Sequence, residues 1–513
     1  MPKTSISPKV DLRDTVPQLA PYLQPGDQVV KVEELEITHP TRYPSALKAL
    51  EKLTNVKYLG EHDQVGPVMA ARSTTANSKV SQLHLFEILF GRDAERVALD
   101  LLDQYPGLAK ATIIKLAELQ GYRKNRHSAE EPGRIIHEYR DPKVDKIARQ
   151  LTAELGWQWP YFGAIDSTPM YITLVKRYCK QEGDKILSEV ITGRDGKSHT
   201  VNDAVMAALK WLLARLDRSE VGLLEYRRIL GDSAETWKDS WDSFSHHDGR
   251  IANHDFGVAS VDVQALAYDA LLDAVHLFPD MAEDLYARAE LLNDTVMKRF
   301  WHHDKLGGYF VIGLDHDSEG RLRQLDIKTS DMGHLLNSRL LDGDDKLVVE
   351  RREAIIRHLF APDLLAVSGI RTLATDEVRY CPGGYHTGSV WLWDTYYIAQ
   401  GLERQGYYGL SHNLKERIWR VARITKKFPE FARGDGKKPA LTSHIVDVEN
   451  ADGRIYRLEQ PPQEIQAWTV AAILESKTKH DPLNPKKLIP TEARDPAKRR
   501  FEKEILKQAN LVQ

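Results

Sequence analysis

Cysteine is scarce in this chain: Cys179 and Cys381 are the only two in 513 residues. Two thiols so far apart build neither a disulfide framework nor a multi-cysteine metal site, which makes a reducing cytoplasm the simplest expected compartment. Long apolar runs are missing too. No stretch of about 18 apolar residues occurs, and Met1-Pro2-Lys3-Thr4-Ser5 leads into no apolar signal core, so neither membrane insertion nor secretion is expected. Charge of one sign is not in excess: 71 basic against 74 acidic residues give a formal net charge of −3. That leaves no electrostatic case for nucleic acid or an anionic membrane as partner. The short basic run Lys498-Arg499-Arg500 reads as a solvated helix face. Phosphate-cradling loops and nucleophile elbows are also absent: there is no GxGxxG beside a strand, no GKS or GKT loop and no GxSxG. The pairs His246-His247 and His302-His303 lack metal-ligand spacing, since adjacent side chains point apart. No metal and no cofactor are expected.

What is present is a globular composition, 42% hydrophobic and 28% charged, in a chain long enough for one large domain with an appendage or for two to three average ones. Residues 1–80 read as a small mixed α/β segment. Asp27 to Val32 and Gly66 to Ala71 look extended, and a short helix falls between Pro40 and Leu53. Beyond that, apolar residues recur at spacings of three and four. They predict helices over Ala94–Leu102, Leu108–Leu119, Val144–Leu155, Thr168–Glu182, Asn202–Leu216, Val261–Phe278 and Met281–Phe300. The pattern continues over His334–Leu341, Lys346–Leu359, Gly388–Leu402, Leu410–Lys426, Gln463–Glu475 and Pro496–Gln508. No fixed-period repeat supports a solenoid. The expected organisation is a mixed segment (1–80), a mostly α catalytic domain (81–480) and a helical tail (481–513). A double-layered ring of helical hairpins would close the apolar faces of so long a helical chain and gather its loops around one pocket.

The densest chemistry lies in Glu235-Thr236-Trp237-Lys238-Asp239-Ser240-Trp241-Asp242, where three carboxylates and two tryptophans share eight residues. Glycosidic cleavage uses that mixture: one carboxylic acid protonates the leaving oxygen, a second carboxylate handles water or the sugar cation, and flat rings hold the sugar. The same residues also suit a core tryptophan pair beside a solvated acidic helix end. Three further segments repeat the theme. Arg92-Asp93 opens a helix and reads either as a clamp for sugar hydroxyls or as an N-terminal ion pair. The loop from Trp157 to Gly163 carries four aromatics and leads to Asp166, ahead of good helix-start residues. Tyr385 and His386 could bond hydroxyls, with Trp391 stacking. Near the C-terminus Phe428-Pro429-Glu430-Phe431 and Glu464-Ile465-Gln466-Ala467-Trp468 supply a second set of carboxylates.

Taken in order, these segments resemble the amylo-α-1,6-glucosidase domain of glycogen debranching enzymes and its prokaryotic relatives, within the six-hairpin glycosidases. The matching stretches run from Leu89-Phe90-Gly91-Arg92-Asp93 through Glu130 to Glu138, Phe162 to Pro169, Trp237-Lys238-Asp239-Ser240 and Val261-Asp262-Val263-Gln264. They continue through Gly333-His334-Leu335-Leu336, Gly369 to Leu373, Tyr385 to Trp391, Pro429-Glu430-Phe431 and Gln466 to Ala471. The resemblance implies an (α/α)6 barrel and inverting hydrolysis, with the general acid on Asp239 and the general base on Glu430. It places Arg92, Asp93, Asp166, His386 and Trp391 at sugar-binding positions. Trp237, Trp241, Gln264 and Tyr385 join them as expected substrate contacts, and Asp242 and Glu464 compete for the acid and base roles. The chain departs from the family pattern at Thr387, commonly Asn, and at Asp262, commonly Glu. The implied substrate is an α-1,6-linked branch of a glycogen-like oligosaccharide, or a small α-glucoside. A phosphorylase of the same fold and an inactive carbohydrate-binding protein are the alternatives.

Overall fold

Helix follows helix along this chain, and the short strands between them serve mainly to set where each inner helix begins. The structure, a computed structural model, describes residues 44–54, 57–59, 63–65, 68–72, 86–143, 145–227, 234–441, 444–449, 455–460, 462–478 and 495–509. Fourteen α-helices occur among them: α1 Pro44–Leu53, α2 Gly91–Asp100, α3 Pro106–Leu119, α4 Lys146–Leu155, α5 Ser167–Glu182, α6 Val201–Leu216 and α7 Val261–Leu277. The rest are α8 Ala282–Arg299, α9 Asp331–His334, α10 Lys346–Leu359, α11 Leu392–Arg404, α12 Tyr408–Thr425, α13 Ala467–Thr478 and α14 Pro496–Ala509.

Helices α2, α5, α7, α9, α11 and α13 each pack against the next, and α13 returns to α2, closing a ring. Outside it α3 lies on α2 and α5, α6 on α5, α8 on α7, α10 on α9 and α12 on α11. The sixth outer place, against α13, is taken by α1 from the N-terminal residues. This is the (α/α)6 toroid. Burial follows the two layers. In α2 every residue but Leu99 is buried, whereas α8 buries only the stripe Leu285, Ala289, Leu292, Thr295 and Val296. An inner helix meets neighbours on both sides and an outer one on a single face.

At one end of the ring, two-residue ladders fix the inner-helix starts. Leu89–Phe90 pairs with Glu138–Tyr139 ahead of α2, and Ala259–Ser260 with Gly313–Leu314 ahead of α7. Val390–Trp391 pairs with Phe431–Ala432 ahead of α11, and Ile465–Gln466 with Ala71–Arg72 ahead of α13. These pairings explain two differences from the helical periodicity. The segments expected to be helical from Gly388 and from Gln463 instead start their helices at Leu392 and Ala467, because the residues before them are spent on the ladders. The predicted helix over His334–Leu341 is broken into α9 and the 3-10 turns Leu335–Asn337 and Arg339–Leu341. Here α11 passes very close: a Cβ on Gly401 would lie 2.7 Å from the Leu336 Cβ and 2.8 Å from the Asn337 nitrogen.

The N-terminal part holds α1 and the hairpin Lys57–Leu59 with Asp63–Val65; the extended segment expected from Asp27 to Val32 lies outside the described residues. The basic run at Lys498 falls on α14, which packs on α12. No helix among the described residues is long and apolar enough to cross a membrane.

Candidate active site

The ladders leave a cleft at the end of the ring where the inner helices begin. Its walls include Arg92 and Asp93 from the start of α2, Trp237 and Asp239 from the irregular loop before α7, Tyr385 and Trp391 ahead of α11, and Glu430. Chain proximity accounts for much of this. Trp391 faces Phe431 across its ladder, so Glu430 follows directly beside it.

Asp239 keeps 34% of its side chain open to the cleft, while Nη1 of Arg92 stands 3.7 Å from its Oδ2. Burial in the concave wall is the largest influence on its carboxyl and pushes it up to about 6; Arg92 opposes the shift and the charge of Asp166 adds to it. Arg92 is itself held by Asp166, whose Oδ2 accepts from Nε at 2.6 Å. Glu430 is deeper. Tyr385 Oη–H donates to Oε1, and the Gln463 backbone N–H donates to Oε2 at 3.1 Å. Burial drives this carboxyl up to about 7; the two donated bonds counteract it, and the charge of Asp239 contributes in the same direction as burial. Asp93 is likewise raised to about 7, mainly by burial and against the pull of Arg92. Gln466 Nε2 donates to its Oδ1 at 3.4 Å.

Aromatic rings brace both sides. The His386 ring stacks on Trp391 at 5.1 Å, and Trp237 meets Trp391 edge-on at 5.9 Å. Trp391 Nε1–H donates to the Tyr385 carbonyl at 2.7 Å, fixing the turn that presents Tyr385 to Glu430. On the other side His386 Nδ1 lies 3.0 Å from Ser240 Oγ, joining this turn to the loop that carries Asp239.

Other expected contacts are used elsewhere. Asp166 lies beneath the cleft as the partner of Arg92. Gln264 is buried in α7, where its side chain accepts from the Leu224 N–H at 2.8 Å and donates to the Leu224 carbonyl at 2.9 Å. Trp241 is partly exposed under the Arg379 guanidinium, 5.2 Å from its ring, and does not line the cleft. Asp242 also stands off the cleft wall, near Arg379 and bonded to Ser240. Glu464 gives Oε1 to the Lys427 ammonium and is likewise off the wall. In their place the structure adds Phe86, Phe90, Gln466 and Trp468. Phe90, Gln466 and Trp468 stand within segments already marked by their acids and aromatics, each one residue from the first residue of an inner helix; Phe86 carries no such signal.

This arrangement offers three carboxyl groups raised toward neutrality, from distant parts of the chain, a guanidinium between acids, and flat apolar walls. It suits an acid–base displacement on a polyhydroxylated ring. The family described as the mannosylglycerate hydrolase MGH1-like glycoside hydrolase domain matches residues 166–432, just over half of the chain. Solved structures from Thermus thermophilus share the fold. An uncharacterized conserved protein is 14% identical, with a TM-score of 0.53 over 84% of this chain and 100% of that one. The GH63 mannosylglycerate hydrolase in complex with Tris and D-glycerate is 15% identical, with a TM-score of 0.52 over 84% and 98%. Its complex with glucose is 14% identical, with a TM-score of 0.53 over 85% and 100%. No curated protein sequence matches the chain.

Proposed function

The chain belongs to the mannosylglycerate hydrolase MGH1-like glycoside hydrolase family, and from that premise we propose that it hydrolyses a small α-glycoside with inversion, Asp239 serving as general acid and Glu430 as general base. One observation carries the assignment: these two carboxyls, from segments far apart in sequence, line one cleft, and both are raised toward neutrality. In inversion a single displacement does the work. Glu430 takes a proton from water as the water oxygen bonds to the anomeric carbon. The bond from that carbon to the leaving oxygen breaks, and Asp239 delivers its proton to the departing oxygen. Tyr385 and the Gln463 N–H hold Glu430 by one bond to each of its oxygens, while Arg92 steadies Asp239. Asp93, with its neighbour Gln466, is placed to bind hydroxyls of the same ring.

The family name and the solved neighbours point to an α-mannoside or α-glucoside; an α-1,6-linked glucosyl branch is the alternative drawn from the sequence resemblance. The test is a panel of α-mannosyl- and α-glucosylglycerate, an α-1,6-linked glucose disaccharide and a limit dextrin, with the first-formed anomer read by proton NMR. Hydrolysis of a glycerate conjugate with the β-anomer first is the expected result. An α-anomer first would overturn inversion, and turnover of limit dextrin alone would overturn the small substrate. Sugar 1-phosphate formed only with added phosphate would make the protein a phosphorylase.

A further inference from the structure

Among its described residues the loop that carries Asp239 has no helix or ladder to hold it, yet an acid must meet its oxygen within about an ångström, since a misplacement of that size can cost a hundredfold in rate. What holds it lies one layer below. Trp237 and Lys238, the two residues before Asp239, are both buried, and Lys238 completely so. A buried ammonium is costly unless its protons are taken up. Lys238 Nζ donates to Asp331 Oδ2 at 2.5 Å and to the Thr372 carbonyl at 2.7 Å. Trp237 Nε1–H donates to the other oxygen, Asp331 Oδ1, at 2.9 Å. One carboxylate thus spends both oxygens on two consecutive residues.

Asp331 is the first residue of α9 and so belongs to the inner wall of the toroid. One turn on, His334 Nε2 lies 2.6 Å from Asp394 Oδ1 of α11, tying α9 to its neighbour. The ammonium of Lys238 keeps Asp331 ionised against the effect of burial. Beyond the acid, Ser243 Oγ–H reaches the carbonyls of Lys238 and Ser240, at 2.5 and 2.7 Å. The backbone on both sides of Asp239 is therefore tied down, while its own carboxyl remains open to the cleft.

We infer that Asp331 is the positioning residue of this site: by clamping Trp237 and Lys238 to the ring wall it aims the Asp239 carboxyl at the leaving oxygen. The inference rests on the reading of Asp239 as general acid and deepens it. It predicts a dependence on the leaving group. An alkoxide needs the proton, whereas fluoride departs with little help, so a misaimed acid harms only the first.

The experiment measures kcat and KM for Asp331→Asn, Trp237→Phe and Asp239→Asn on an alkyl α-glycoside that the native protein hydrolyses and on the matching α-glycosyl fluoride. For Asp331→Asn the expected loss in kcat is about a hundredfold on the alkyl glycoside and under roughly fivefold on the fluoride, with KM nearly constant. Trp237→Phe removes one of the two clamping bonds and should show the same split at roughly tenfold. Asp239→Asn separates the two claims. If it loses both substrates equally, the acid assignment fails and the role of Asp331 falls with it. If it shows the split and Asp331→Asn loses both equally or neither, the positioning role alone is overturned. Should Asp331→Asn not fold, the alkyl-to-fluoride ratio of Trp237→Phe decides, and an unchanged ratio refutes the inference.

Discussion

Moving the pH away from neutrality in either direction should switch the cleft off within a narrow window. Turnover requires the proton on Asp239 and none on Glu430. In the ligand-free cleft the two carboxyls stand at about 6 and about 7, so between these two the proton sits mostly on Glu430, the wrong group, and Asp93, itself raised to about 7, competes for it as well. A difference of about one unit leaves at most roughly a tenth of the singly protonated molecules in the productive arrangement, equivalent to about 1.4 kcal/mol. Below about 6 both groups are protonated and the base is blocked; above about 7 both are ionised and the acid is lost. The kcat/KM profile reports the free enzyme and should be a narrow bell with limbs near those values, which belong to the pair as a whole. Each limb should fall tenfold per pH unit, as in any single-proton loss. The assay is initial rates well below KM from pH 4.5 to 9 at constant ionic strength. Tyr385→Phe sharpens it. The phenol bond holds the Glu430 carboxyl down, so removing it should move the alkaline limb upward and lower the peak together, because the productive arrangement becomes rarer. A flat plateau from pH 5 to 8, or an alkaline limb that moves downward in Tyr385→Phe, would refute the reasoning.

Other consequences are measurable in the same protein. Asp239→Asn and Glu430→Gln should each lower kcat on an alkyl glycoside by roughly 10²–10⁴ with little change in KM; a variant that keeps half its native rate would lose its assigned role. Glu430→Gln should also raise the melting temperature at pH 8 by a few degrees, roughly, and leave it unchanged at pH 4. The sign follows from the raised carboxyl: its ionisation costs folded stability as pH climbs from the unfolded value near 4.3 through about 7, and none of that cost exists in acid. Gly401→Ala drives a methyl group into Leu336 and Asn337 at under 3 Å, and should destabilise by roughly 1–3 kcal/mol in denaturant titration.

Outer helices were easiest to read from sequence because one wet face leaves a clean stripe; the periodicity over Lys346–Leu359 matches α10 end to end. Inner-helix starts were harder. Val390 and Trp391 carry no local sign that Ala432 and Phe431 will pair with them, and the two-residue ladders depend entirely on such distant partners. The site divides along the same line. Asp239, Glu430, Arg92 and Asp93, which share one cleft, stood out as candidates because acids beside aromatics or at a helix start are unusual and costly without a use. Glu464 looked equivalent to Glu430 in sequence, since nothing local announces its capture by Lys427. Gln264 sits in a family-like motif, but its amide is consumed by the backbone of Leu224. The clamp between Lys238 and Asp331 joins residues 93 positions apart and leaves no trace in either neighbourhood.

The sealing of the ring by α13 against both α1 and α2 has a consequence for how the protein comes into being. Gln466 and Trp468 stand at the head of that last inner helix and Glu430 before it, so a ribosome must deliver the chain through α13 before the cleft is complete. An arc of the earlier hairpins without α13 would leave apolar edges bare at both ends, the condition in which a long helical chain is most prone to stick to others. Closure and the capacity for chemistry therefore arrive in the same late event.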